Sequence, residues 1–267
     1  MAILALSREY QSGGQAVGLG VAERLGYRYI DKQGIHDQLK ETGGKWGALV
    51  DEFDEVRPHL WERYDWEYRG FIALVESAIL EFALEDRAVI VGRGSHIVLR
   101  NIPQVLRVRL FAPLEIRIER LMNRENIDRE KAKRLVKAQD KERAGYIKSI
   151  YGEKWDDREL FDLIFNTGSQ AIEQVGAEIA EALREREKQT TPEGIKRLEN
   201  RAMAARIKAR LFIHPHLFIP TLEVFHDGQA LVLKGVVHRP DELHRIMELV
   251  RQMAGFHPVR NELHLRK

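Results

Sequence analysis

The apolar positions of this chain switch repeatedly between two periods. Ala2-Ile3-Leu4-Ala5-Leu6 is a continuous apolar run of buried-strand length. A polar turn follows, Ser7-Arg8-Glu9-Tyr10-Gln11-Ser12-Gly13-Gly14, and then Val17, Val21 and Leu25 recur four apart, as on one helix face. Tyr27-Arg28-Tyr29-Ile30 is a short aromatic strand ending at Asp31. Residues 32–65 carry charge and the aromatics Trp46, Phe53, Trp61 and Tyr64 with no clean period; they read as short helices covering a ligand, or as a surface subdomain packed by its aromatics. Phe71, Ile72, Leu74, Val75, Ala78, Ile79 and Phe82 mark a helix facing a core. Ala88-Val89-Ile90-Val91 is the next strand and ends in Gly92-Arg93-Gly94; Val105 to Phe111 is another.

Pro113 stands at the start of a helix bearing Glu115, Arg117, Arg120 and Arg124. Asp128 is the N-cap of a long polar helix reaching about Ser149, with Tyr151-Gly152 at its end. Phe161 to Phe165 is the last strand of this half, left through Asn166-Thr167-Gly168, and Ile172, Val175, Ile179 and Leu183 give a final amphipathic helix. Strands alternating with helices argue for a parallel sheet covered on both faces. In such sheets ligands bind beyond the carboxyl ends of the strands, an edge that would gather Ser7 to Gln15, Asp31, Gly92-Arg93 and Asn166. The apolar pattern stops near residue 184, and Pro192 interrupts a charged stretch read as a linker. After it, a short helix with Ile207 and Leu211, a hairpin turning at Asp227-Gly228, a helix with Leu243, Ile246, Met247 and Val250, and an alternating end at Val259 to Leu265 give the order α-β-β-α-β. The expected domains are an α/β unit over 1–186, a linker over 187–203 and a small α+β unit over 204–267.

Composition narrows the chemistry. Of 267 residues 31% are charged and 44% hydrophobic, which suits a soluble globular protein with a real core. The net charge of +2 supplies no overall field for nucleic acid, so no nucleic-acid partner is expected. The absence of cysteine excludes disulfides, zinc–thiolate sites and thiol nucleophiles. No apolar run approaches the roughly 20 residues of a membrane span, and no secretory leader is evident, so a cytoplasmic location is the default expectation. His214-Pro215-His216 lacks a third ligand, and no metal site made of protein side chains is identified.

Strand, glycine turn and helix form the geometry that points backbone N–H groups and a helix N-terminus at an anion. A full phosphate loop reads G-x-x-x-x-G-K-[ST]. With Gly13 as the second glycine, Arg8 takes the first glycine position, Gly14 the lysine position, and Gln15 or Ala16 the hydroxyl position. The motif's charged and metal-holding side chains are thus absent from their places. Arg8, Arg93, Arg120, Arg124 and Arg143 lie near strand ends or on helix stripes that could face the same edge. Guanidinium groups grip phosphate with paired hydrogen bonds, and phosphoryl transfer needs positioning and positive charge more than covalent help. The same arginines would equally serve as ordinary surface charges. An active kinase and a nucleotide-binding sensor without turnover both remain open.

Several segments together resemble the cytidylate kinase-like family: Ser7-Arg8-Glu9-Tyr10 with Ser12-Gly13-Gly14, Leu25-Gly26-Tyr27 with Tyr29 and Asp31-Lys32, Gly92-Arg93-Gly94, Arg107-Val108-Arg109-Leu110 with Ala112-Pro113, Asp140-Lys141 with Arg143-Ala144, Tyr151-Gly152 with Trp155, and Phe161-Asp162-Leu163-Ile164 with Asn166-Thr167. The resemblance covers roughly residues 1–185. It implies a P-loop kinase-like sheet of five parallel strands, a mobile lid, and transfer of the ATP γ-phosphoryl group to a nucleoside monophosphate or other small acceptor with Mg²⁺. It casts Asp140, Arg143 and Arg124 as catalytic, Arg8, Gln11, Ser12, Gly13, Gly14, Gln15 and Arg120 as nucleotide-binding, and Asp31 and Arg93 as acceptor-binding. Two departures stand out: Gln11 replaces the first glycine of the Gly-Ser-Gly-Gly common in this subfamily, and Gly94 replaces the base-reading acid of true cytidylate kinases. From about Arg206, Ile207 with Leu211, Val224 with Gly228, Leu233, Gly235 and Val237, and Val259 with Asn261 and Leu263 resemble a BON domain. That resemblance implies a small ligand or lipid for the C-terminal module. Homo-oligomerisation is left open.

Overall fold

The apolar run at the start of the chain becomes a strand covered on both faces. In the computed structural model, which describes residues 1–41, 65–219 and 221–266, the chain order is β1 (Ile3–Arg8), α1 (Gly14–Leu25), β2 (Arg28–Ile30), α2 (Lys32–Glu41), α3 (Trp66–Leu84), β3 (Ala88–Val91), α4 (Ser95–Val98), β4 (Val105–Phe111), α5 (Leu114–Glu125), α6 (Arg129–Tyr151), β5 (Leu163–Asn166), α7 (Ile172–Glu187), α8 (Pro192–Phe212), β6 (Glu223–His226), β7 (Leu231–Val237), α9 (Pro240–Ala254) and β8 (Val259–Leu265). Most of the aromatic segment at 32–65 lies outside the described residues; its first ten residues form α2. The described chain packs as two units, one holding 1–35 and 85–191, the other 36–41, 65–84 and 192–266.

In the first unit five strands form one sheet in the order β2-β3-β1-β4-β5, every pair parallel. Ile3 lies opposite Ala88 on one side and Val105 on the other, so β1 is the central strand. The chain moves from β1 to β2 and β3 on one side, then crosses to β4 on the other. The strand order therefore reverses at the carboxyl end of β1, where open α/β sheets form a crevice. Leu4, Leu6, Val89, Val108, Val17, Val21, Val175 and Ile179 make one buried cluster of β1, β3, β4, α1 and α7. Asp128 caps α6 by accepting from the Lys131 N–H at 2.9 Å, and Gly152, at φ 72°, ends it, as the sequence pattern indicated.

In the second unit, α3 packs against α8, with the Trp66 and Phe212 rings 4.5 Å apart and Lys208 Nζ 3.1 Å from Glu76. A three-stranded sheet follows in the order β6-β7-β8, antiparallel then parallel. The α-β-β-α-β order is the one expected. The expected division is not. Residues 187–203 are not an extended linker: α7 runs to Glu187, and Pro192 begins α8 instead of breaking a helix. Proline is well suited to that position, because the first N–H of a helix has no partner to lose. The periodicity was hidden because the buried face there is built from Leu198 and small residues, Ala202 and Ala205 among them. The apolar stripe at 71–82 also joins this second unit and not the parallel sheet. Among the described residues no helix is long and apolar enough to cross a membrane.

Besides its parallel ladder to β4, the outer strand β5 is tied in by one carboxylate at its start. Asp162 Oδ2 accepts from the Arg107 backbone N–H at 2.8 Å and Nε at 3.2 Å, Oδ1 accepts from Nη2 at 3.0 Å, and the Asp162 N–H donates to Arg107 O at 2.8 Å. Burial by itself raises the Asp162 pKa, but hydrogen bonds from Arg107 and the charges of Arg107 and Arg186 outweigh it and leave the carboxyl below its ordinary 3.8. A carboxylate depressed by folding stabilises the protein above its unfolded pKa, and that stability is lost as pH falls through the folded value. Asp162→Asn should therefore cost about 1–3 kcal/mol at neutral pH. In denaturant titrations the gap to the native protein should close as pH drops below 3.8; a gap that stays constant with pH would refute this account.

Candidate phosphate-binding cleft

The turn between β1 and α1 is shaped by where its carbonyl groups go. Glu9 O accepts from Ser12 Oγ at 2.8 Å and from the Ser12 N–H at 3.2 Å. Tyr10 O accepts from Arg117 Nη1 at 3.2 Å, Gln11 O from Arg120 Nη1 at 3.2 Å, and Ser12 O from Thr167 Oγ1 at 2.8 Å. Four consecutive carbonyls are thus bound to protein. The Tyr10 N–H donates to Asp140 Oδ1 at 2.9 Å, and the other oxygen of Asp140 pairs with Arg117 Nη1. By contrast, the N–H groups of Gln11, Gly13, Gly14 and Gln15 have no acceptor among the described residues. They belong to the turn and the first residues of α1, whose N–H groups have no partner within the helix and which carry the positive end of the helix dipole. Gly13 sits at φ 79°, and a Cβ there would lie 2.9 Å from Ile172 Cδ1. Gln11 takes φ 65° as well, in the left-handed region that costs a non-glycine residue roughly 1–2 kcal/mol. Its carbonyl bond to Arg120 holds it there. Its amide, with the oxygen turned toward Arg124, accepts from Nη1 and Nη2 at 3.0 Å each.

Above this turn lies a cleft of about 360 Å³ lined by Arg8, Glu9, Tyr10, Gln11, Gly13, Gly14, Gln15, Tyr29, Asp31, Lys32, Arg124 and Arg143. Arg8, Lys32, Arg124 and Arg143 outnumber the carboxylates Glu9 and Asp31, so the lining favours an anion. The Tyr10 ring lies 5.6 Å from the Arg143 guanidinium carbon and 6.0 Å from that of Arg124, and its hydroxyl accepts from Arg124 Nη2 at 3.2 Å. Arg143 Nη1 donates to Arg8 O at 3.1 Å. Burial, reinforced by the charge of Asp31, pushes the Tyr29 phenol up to about 12, so it stays protonated as a donor. Burial also raises the Glu9 carboxyl, opposed by Arg117 and by the Ala112 N–H. The buried Arg109 is lowered by desolvation, with Glu9 opposing; it stays charged, donates to Trp155 O at 3.0 Å and stacks 4.6 Å over the Trp155 ring.

The structure sorts the residues singled out from sequence into two groups. Arg8, Gln11, Gly13, Gly14, Gln15, Asp31, Arg124 and Arg143 line the cleft. Ser12, Arg120 and Asp140 instead lie beneath the turn and hold it. Asp140 spends one oxygen on Tyr10 and the other on Arg117, so its place is that of a brace. Asp31 Oδ1 caps α2 by accepting from Gln33 at 2.9 Å and Gly34 at 3.3 Å. Arg93 is fully buried and lines a separate small recess with Ser7, Tyr146 and Trp155, which Arg8 and Arg143 also border. Sequence reasoning missed Lys32, Arg117 and Thr167, and placed Glu9 and Tyr10 at this edge without giving them a role. Arg117 had a readable signal, since Arg117, Arg120 and Arg124 fall at i, i+3 and i+7 on one helix face. Tyr10 and Thr167 are tied to their partners only through long-range contacts.

A parallel sheet in this order, with a glycine turn feeding α1 and a basic cleft at the carboxyl edge, defines a P-loop kinase-like α/β protein. Residues 3–169 match the cytidylate kinase-like family, and the chain belongs to that family of nucleotide phosphotransfer proteins. It is 27% identical over 167 residues to the cytidylate kinase of Methanocaldococcus jannaschii, covering 61% of this chain and 87% of that protein. To the cytidylate kinase of Natronomonas pharaonis it is 26% identical over 198 residues, covering 72% of this chain and 97% of the relative. Among solved structures, an uncharacterized protein from Eubacterium ventriosum shares the fold at a TM-score of 0.56 and 21% identity, covering 69% of this chain and 99% of its own.

The brace beneath the turn makes a thermodynamic prediction. Arg117→Met and Asp140→Asn should each lower stability by about 1–3 kcal/mol. Because both act on Tyr10 and on each other, the double variant should cost less than the sum by more than about 0.5 kcal/mol. Additive losses in urea titrations would mean that the two side chains do not form one clamp.

Proposed function

We propose that this chain transfers the γ-phosphoryl group of ATP to a small acceptor, with nucleoside monophosphates as the first class to test. The observation that carries this reading is the turn at 9–13 with the start of α1: the carbonyls of residues 9–12 are bound by Ser12, Arg117, Arg120 and Thr167, and the amides at 11, 13, 14 and 15 meet no acceptor among the described residues. Family membership and the basic cleft support it. In this reading the turn and α1 hold the triphosphate, and Arg124 and Arg143 stabilise charge spreading over the transferred group. Asp31 stands on the acceptor side, with Arg93 in the adjoining recess, and α5 and α6 carry Arg124 and Arg143 to the cleft. Gly94 puts no carboxylate in the position that reads cytosine in true cytidylate kinases, so the acceptor base is left unselected there.

Magnesium fits as an ion brought in on the nucleotide: no group of three His, Cys, Asp or Glu among the described residues could cage it, and Gln15 offers no hydroxyl. Asp31 Oδ2, which takes no part in the α2 cap, is the cleft oxygen that would meet it. The ion would supply charge neutralisation on the phosphates. The C-terminal α-β-β-α-β segment is read as a BON-like module for a small ligand or lipid, in a protein that works in the cytoplasm. One observation favours a second reading, a nucleotide-binding sensor without turnover: glycine stands where the motif's lysine would be.

Incubation with Mg-ATP and a panel of monophosphates separates these readings. Phosphoryl transfer is the expected result. Arg143→Ala should then lower kcat by about a hundredfold or more, with substrate binding little changed. ATP binding without transfer to any acceptor would favour the sensor, and absence of both would end the nucleotide reading.

A further inference from the structure

Two positions in the cleft compete for one volume. A Cβ placed on Gly14 would lie 2.6 Å from Arg8 Cγ and 2.8 Å from Arg8 Cβ, closer than side-chain carbons approach one another. Any side chain at position 14, a lysine included, would therefore collide with the stem of Arg8 where it stands. Gly14 is a buried helical residue at the start of α1, where alanine would favour the helix more than glycine does. Neither helix propensity nor backbone geometry calls for glycine at this point, since its φ is not among the positive ones; the Arg8 stem does. Arg8 in turn ends a strand whose preceding residues, Ile3 to Ser7, are all buried, and it lines the cleft beside Gly13, Gly14 and Gln15. Its carbonyl receives the Arg143 guanidinium at 3.1 Å, which fixes a second cation to the same strand end.

We propose that Arg8 is the phosphate-gripping cation of this site, delivered from the end of β1 through the space that the lysine of a standard phosphate loop would fill from α1, and that Gly14 is glycine to let it pass. This rests on the kinase reading for its ligand, a nucleoside triphosphate or the polyphosphate chain it contains. The exchange replaces a flexible ammonium with a planar guanidinium, which binds two phosphate oxygens at once. It also moves the charge from the helix to the strand end that Arg143 already holds.

The two residues predict a reciprocal pattern, read by calorimetric binding of ATP and of inorganic tripolyphosphate to the full chain. Arg8→Ala should weaken both by about ten- to a hundredfold, the worth of a charge-assisted pair. Gly14→Ala should weaken binding in the native background by displacing Arg8, yet change nothing further in an Arg8→Gly background, which lacks both carbons the new Cβ would meet. Arg8→Gly with Gly14→Lys should recover at least part of the loss, whereas Gly14→Lys beside an intact Arg8 should bind poorly. Arg8→Ala with native affinity, or a Gly14→Ala effect that persists in the Arg8→Gly background, would overturn the proposal even if the lysine variants fail to fold. Tripolyphosphate binding that depends on Arg8, with no ATP binding, would support the exchange and sink the kinase reading. A native chain that binds neither would sink both.

Discussion

The site depends on the direction of four carbonyl groups. A tight turn between a strand and a helix presents donors and acceptors alike, and an anion is attracted by one and repelled by the other. Here Ser12, Arg117, Arg120 and Thr167 occupy the acceptors of residues 9 to 12 from within the protein. Among the described residues, what is left for a ligand is a set of N–H groups at the positive end of α1. Burying the guanidinium of Arg117 between Glu9 and Asp140 carries a desolvation penalty, and such an arrangement is weak evidence for stability. Its return is a turn whose dipoles are already oriented before any ligand arrives, the condition under which fixed dipoles act strongly on a developing charge.

That requirement divides the arginines by function. Arg109, Arg117 and Arg120 spend their hydrogen bonds on Trp155 O, Tyr10 O, Gln11 O and Thr167, and none lines the cleft. Arg8, Arg124 and Arg143 line it. Helix α5 carries both kinds, Arg117 and Arg120 below and Arg124 one turn further along. A single helix thus sets the shape of the turn and contributes charge above it. Tyr10 joins the two layers: its backbone is clamped at both N–H and C=O, while its ring and hydroxyl sit against Arg143 and Arg124.

Much of this was visible in the chain itself, for identifiable reasons. The parallel sheet could be read because Ile3 to Leu6 and Ala88 to Val91 are continuous apolar runs and the strands alternate with helices whose stripes recur at Val17, Val21 and Leu25 or at Ile172, Val175 and Ile179. The α6 caps at Asp128 and Gly152 were visible because capping is local chemistry. The start of α8 was hidden because its buried face uses alanines, which pack closely without marking an apolar period, and because proline is helix-breaking inside a helix and helix-starting at its first position. The placement of Ser12, Arg120 and Asp140 beneath the turn was hidden for a different reason. Proximity to a glycine turn can be read from sequence, but whether a polar group lies above or beneath it is decided by contacts across 23 to 155 residues of chain.

The same long-range character ties the site to the integrity of the fold. The turn is held by Arg117 and Arg120 from α5, Asp140 from α6, Thr167 just after β5, and the β4 backbone, where Leu110 O accepts from the Glu9 N–H at 3.0 Å. A displacement of any of these segments would release a carbonyl toward the cleft and reduce its attraction for an anion, even with every cleft residue in place. Gln11 shows the same logic on a smaller scale. Its left-handed backbone is unfavourable for a residue with a side chain, and it persists where Arg120 takes the carbonyl and Arg124 takes the amide oxygen. A glycine there would relax the backbone and remove the amide contact with Arg124, so the departure from the usual glycine string exchanges backbone freedom for a fixed position of a cleft cation.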